Sequence, residues 1–124
     1  MTRTLNDPIA ANDLQSQRQV LIDLYRYIVP YEESVTAQTH TTRYGVGYER
    51  ILCDYTGTGT VTITLKSGAE DKQRVQPVRR CTNAVSVVGE NSENINGSSS
   101  LSLPSQYDAP LLEWSETGNE WLIL

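Results

Sequence analysis

The chain has 124 residues, a net charge of −5 and an apolar content of 38%, with no Phe, two Trp and seven Tyr. That length fits one domain with a modest core and argues against a multi-domain enzyme. The acidic balance argues against broad binding to nucleic-acid phosphates, whose affinity comes from Lys and Arg, and the wealth of Ser and Thr favours half-buried strands over a helical bundle.

Residues 1–11, MTRTLNDPIAA, read as an extended arm, because Asp7-Pro8 disfavours helix ahead of the proline and little apolar material anchors it. Such an arm docks on a neighbour, through Leu5, Pro8 and Ile9. It lacks the apolar run of a signal peptide, and no window holds the roughly 18 apolar residues of a membrane-spanning helix. Asn12 or Asp13 then offers an N-cap. Leu14, Val20, Leu21, Leu24, Tyr25 and Ile28 recur at helical steps until Pro30, which predicts one amphipathic helix over 13–28. A lone helix of that length needs a partner for its apolar stripe, either its own β-domain or copies of itself. Leu14, Leu21 and Leu24 join the arm as expected attachment residues. The division is therefore a docking arm and helix at 1–30 and a β-domain at 31–124.

From Tyr31 the period changes to two. Tyr44, Val46 and Tyr48 alternate with polar or small residues, as do Ile51, Cys53 and Tyr55, then Val61, Ile63 and Leu65. The GTGT at 57–60 and the KSGAEDKQ at 66–73 are turn-rich breaks at hairpins or crossovers. Arg74 to Arg80, interrupted by Pro77, reads as an edge strand or a bulged one. Further strands follow at AVSVV (84–88), SLSLP (100–104), PLLEW (110–114) and NEWLIL (119–124). Both faces of the last are apolar, which places it in the middle of a sheet or against another subunit. Regular strand spacing with no second helical pattern predicts a mainly β chain: a β-sandwich or barrel-like antiparallel domain with one N-terminal amphipathic helix.

Residues with chemical potential are scattered. Cys53 and Cys81 form no CxxC pair and read as free, mostly buried thiols, and with a single histidine, His40, no familiar metal-ligand spacing exists. His40 in the AQTHTTR run reads as a surface or strand histidine, and Glu32-Glu33 as ordinary solvated charge. Ser98, Ser99 and Ser100 lack a nucleophile context, Gly57-Thr58-Gly59 lacks the helix and Lys of a phosphate cradle, and Arg79-Arg80 reads as a solvated strand edge. No enzyme, cofactor or metal is expected. Trp121 lies among aliphatics and reads as core. Trp114, flanked by Glu113, Ser115 and Glu116, reads as half-exposed, and with Tyr107 it is a candidate glycan or partner contact.

Taken in order, Asp71, Arg74 and Val75 fit a "D-x-x-R-V" opening, Ile95, Gly97, Ser100, Leu101 and Leu103 an "I-x-G-x-x-S/T-L-x-L" strand, and Tyr107 and Leu112 a "Y/F-x-x-x-x-L" strand, with Leu111 beside it. Gly118, Trp121 and Ile123 fit a closing "G-x-x-W-x-I". Over residues 56–124 the chain thus resembles the β-domain of phage tail-fibre, head-fibre and other virion appendage proteins, with Pro77 and the Arg79-Arg80-Cys81 run as departures. The resemblance implies a structural virion protein, commonly a homotrimer, whose N-terminal part attaches to the major capsid protein or other virion proteins. The short chain leaves no room for a fibre shaft, which favours a capsid decoration (cement) protein or short head fibre over a tail component touching host glycan.

Overall fold

The computed structural model describes residues 17–18, 29–43 and 47–124. Gln17 and Arg18 have helical backbone, and the remainder of the expected arm and of the helix over 13–28 lies outside the described residues. The described part is mainly β. Its strands are β1 (Tyr31–Val35), β2 (Thr39–Thr41), β3 (Tyr48–Cys53), β4 (Val61–Leu65), β5 (Arg74–Arg79), β6 (Val85–Gly89), β7 (Ser100–Leu103), β8 (Leu112–Ser115) and β9 (Glu120–Ile123), with one 3-10 turn at Glu90–Ser92.

Two mixed sheets hold these strands, one in the order β1-β3-β5-β8-β9 and the other in the order β2-β4-β6-β7. From β1 to β6 the chain changes sheet at every connection, and β1, β3 and β5 run parallel, as do β2, β4 and β6. Each successive pair of strands is therefore one turn of a coil, and three turns stack in register. Parallel neighbours need a long crossover, and here a strand of the opposite sheet supplies it where other folds use a helix. The expected antiparallel domain is corrected on this point. Only the last strands reverse, β7 on β6, β8 on β5 and β9 on β8, and they close the far end of the coil. The breaks at 57–60 and 66–73 are crossovers between sheets.

Alternation sets what lies inside. Ile51 and Cys53, Val61, Ile63 and Leu65, Val75, Val85 and Val87, Leu103, Leu112, Trp114 and Trp121 share one buried core drawn from both sheets. Each fully buried aliphatic of this set contributes roughly 1.5–3 kcal/mol. The register stacks like on like: Val61 beside Val85 beside Leu103, and Ile63 beside Val87 beside Leu101. Cys53 and Cys81 are both buried and unbonded, and burial pushes the Cys53 thiol up to about 12.

One expectation about strand position is overturned, and of the two places expected for the last strand the middle of a sheet is excluded. Pro77 lies in β5, the third strand of five, and not at an edge. The ladder tolerates it because of backbone alternation. Arg74 N donates to Gly47 O on the β3 side and Arg79 N donates to Asp108 O on the other, so position 77 faces that other side. There β8 pairs only with Arg74 and Val75, and the missing N–H removes no ladder bond. The closing strand β9 is an edge and not a centre. Its outer side is covered by the chain at 94–96: Trp121 N donates to Asn94 O at 2.9 Å, Asn96 N donates to Trp121 O at 2.7 Å, and Ile123 N donates to Asn96 Oδ1 at 3.3 Å. Its apolar Leu122 and Ile123 remain partly exposed.

Candidate functional site

The residues expected to carry attachment, Leu5, Pro8, Ile9, Leu14, Leu21 and Leu24, lie outside the described residues. The two candidate aromatic contacts separate sharply. Trp114 is 5% exposed and packs edge-to-face on Trp121 with ring centroids 5.5 Å apart, so it is core and not half-exposed. Its acidic and polar neighbours in sequence belong to the opposite face of β8 or to the turn beyond. Tyr107 is 70% exposed, on the loop between β7 and β8, with φ of 71°.

Around Tyr107 the surface is polar and well braced. Arg80 donates two hydrogen bonds to Asp54, Nε to Oδ1 at 2.8 Å and Nη2 to Oδ2 at 2.9 Å, while Ser34 Oγ donates to Oδ2. Arg80 and then Ser34 hold the Asp54 carboxyl below the usual carboxylate range. Gln106 Nε2 donates to Arg80 O at 2.8 Å, and Tyr107 N donates to Arg79 O. Beside this brace lies an open cavity of about 360 Å³ lined by Asp54, Tyr55, Thr56, Arg80, Cys81, Thr82 and Asn83.

A second polar group occupies the inside of the coil's first turn. The parity of β1 and β2 aligns Glu33 with Ile51 and His40 with Ile63 of the next turn, while Tyr31, exposed at the rim, aligns with Glu49. His40 Nε2 lies 3.1 Å from Glu33 Oε1, off the line of a hydrogen bond, and Arg43 Nη2 donates to Glu33 Oε2 at 3.2 Å. The Arg43 guanidinium sits 4.8 Å from the centre of the Tyr31 ring. Below them Glu49 is completely buried. Arg43 N donates to its Oε2 at 3.1 Å and Gln73 Nε2 donates to Arg43 O at 3.4 Å, so two buried side chains hold the peptide groups on either side of Arg43 Cα. Burial pushes the Glu49 carboxyl up to about 7, opposed by the Arg43 N–H and reinforced by Glu33. His40 is thus a strand histidine turned inward, and Glu33 is not an ordinary solvated charge. The signal for Glu49 was its parity, shared with Ile51 and Cys53.

The motif residues of the C-terminal half mostly build scaffold. Asp71 Oδ1 accepts from Glu116 N at 3.0 Å, Arg74 Nε donates to Glu113 Oε2 at 3.0 Å, and Val75, Ile95, Leu103, Leu112 and Trp121 are buried. Asn96 and Gly97 both take positive φ, 52° and 82°, between paired bonds joining Ile95 and Ser98, which is the two-residue turn that an Asn-Gly pair favours. No family model matches the chain, and no curated protein matches it. Among the described residues no group of three or more His, Cys, Asp or Glu side chains is placed to hold a metal ion, and no helix is long and apolar enough to cross a membrane.

Proposed function

We propose that this chain is a structural protein of a phage particle, a capsid decoration or short head-fibre protein that binds the shell and stabilises it. The observation that carries the reading is the ordered set of sequence pieces from Asp71 to Ile123 that resembles the virion appendage β-domain. Two features of the fold support it. The pieces meet at the closing end of the coil, around β8, β9 and the Asn96-Gly97 turn, as a folding signature would. The two sheets share one core, which we read as a sandwich wound as a coil, a compact knob suited to sitting on a surface. In this reading residues 1–30 form the arm and helix that attach, and the knob projects, commonly as a homotrimer. A protein that binds only the assembled shell lowers that state's free energy by mass action, and no reaction is needed.

The test is binding of the purified chain to expanded capsids, with and without residues 1–11, together with the copy number per particle. Saturable binding lost on the deletion, at hundreds of copies, supports decoration; absence of binding by the full chain defeats it. A tail or adaptor role touching host glycan is favoured by one observation, the exposed Tyr107 ring beside the braced Arg80 and its cavity. That role predicts saturable polysaccharide binding abolished by Tyr107→Ala.

A further inference from the structure

The outer faces of the two sheets differ in kind. On the five-stranded sheet outward positions carry charge: Glu32 and Arg50 form an ion pair across β1 and β3 that neutral Gln76 of β5 extends by a hydrogen bond, and Arg74 pairs with Glu113. On the four-stranded sheet the register aligns Thr39, Thr62, Ser86 and Ser102 in one row and Thr41, Thr64, Val88 and Ser100 in the next. All eight point away from the core and are exposed or partly exposed. Seven carry hydroxyls, one is apolar, and none is charged, in a chain where 20% of residues are charged.

Such a face has a definite kind of partner. Copies that meet face to face through the same patch about a two-fold axis set the residues near that axis against their own equivalents, so a charge there faces its like. A hydroxyl is both donor and acceptor and therefore pairs with another hydroxyl, which Lys, Arg or an ionised carboxylate cannot do with itself. Strand spacing sets the hydroxyls on a grid of about 4.8 Å by about 6.6 Å, flat enough for a second grid to lie on it. The net charge of −5 makes copies repel one another overall, and this patch offers a neutral place of approach.

We propose that the Thr/Ser face of the β2-β4-β6-β7 sheet is the surface through which copies of this chain associate. The inference deepens the reading of a multi-copy virion protein and rests on it for the expectation of several copies, and its test uses the purified chain without particles, so the two fail separately.

The experiment is the mass of the full chain in solution by light scattering across a dilution series, for the wild type, Thr62→Lys, Ser102→Lys and Leu122→Lys. Leu122 lies on the partly exposed apolar strip of β9, away from the proposed face, and Ser102 is an exposed position where folding tolerates the change. The wild type is expected to be oligomeric. Thr62→Lys and Ser102→Lys are each expected to weaken association by more than about a hundredfold with unchanged circular dichroism, because each sets like charges against each other. Leu122→Lys is expected to leave the mass unchanged. A wild type that stays monomeric overturns the proposal. So does an oligomer that survives both substitutions on the face, or one that only Leu122→Lys dissociates.

Discussion

Replacing Glu49 with Gln tests how the first turn of the coil closes. Glu49 is fully buried, and its carboxyl titrates at about 7 against an ordinary value of 4.5. A raised folded-state value means that the native chain binds this proton more tightly than the unfolded chain does. The associated stability is complete below the unfolded value and is lost as pH rises through about 7. Going from 4.5 to about 7, at about 1.4 kcal/mol for each tenfold change in proton affinity, gives a loss of about 3 kcal/mol by mildly alkaline pH. Glu49→Gln removes the charge and keeps an oxygen to accept from Arg43 N. The variant is expected to match the wild type near pH 5 and to exceed it by about 2–3 kcal/mol near pH 8, a rise of about 1–2 M in urea midpoint for a domain of this size. Urea melts at several pH values, read by tryptophan fluorescence from Trp114 and Trp121, supply the comparison. Parallel pH profiles for the two proteins would refute the reasoning, because the carboxyl would then be charging at no cost.

Gly89→Ala is expected to destabilise the chain by about 1–3 kcal/mol in the same melts, since an added Cβ would stand 2.3 Å from the Glu93 backbone oxygen, which has little freedom to retreat; an unchanged midpoint would show that the 3-10 turn yields easily. Arg80→Gln bears on the acid limb. Asp54's carboxyl is depressed, first by Arg80, so its contribution is present above the unfolded value and disappears as pH falls through the folded one. The wild type is expected to lose its small advantage over Arg80→Gln on acidification, and a gap constant from neutral pH to pH 3 would contradict the pairing.

Much of the core was legible because strand alternation assigns each residue to a face. Ile51 and Cys53, then Val61, Ile63 and Leu65, are inward as their period of two predicts, and Asn96-Gly97 makes the turn its residue types favour. Alternation says nothing about which strand lies alongside. A crossover to the other sheet and a hairpin within one sheet need the same turn residues, so parallel stacking was read as antiparallel. Pro77 was read as an edge marker because the rule concerns a missing donor, and sequence does not reveal that the donor would point beyond the end of β8. Trp114 was misjudged through its sequence neighbours, which in a strand occupy the opposite face. Glu33 was read by chemical type, as a solvated carboxylate, where parity pointed inward, and Glu49 was passed over although it shares the parity of Ile51 and Cys53. The Thr/Ser face was visible as composition but not as a plane, because a plane needs the register of four strands.

The two ends of the coil are made differently: a polar first turn around Glu33 and His40 at one end, and the reversed strands β7 to β9 at the other. Between them, the second and third turns repeat the same alternation and hand the same edges to their neighbours. A duplicated turn inserted there would find its partners already in place, lengthening the body by about 4.8 Å while both terminators stay intact. Length in such an architecture can be edited one whole winding at a time, and insertions of half a winding would leave a strand in the wrong sheet.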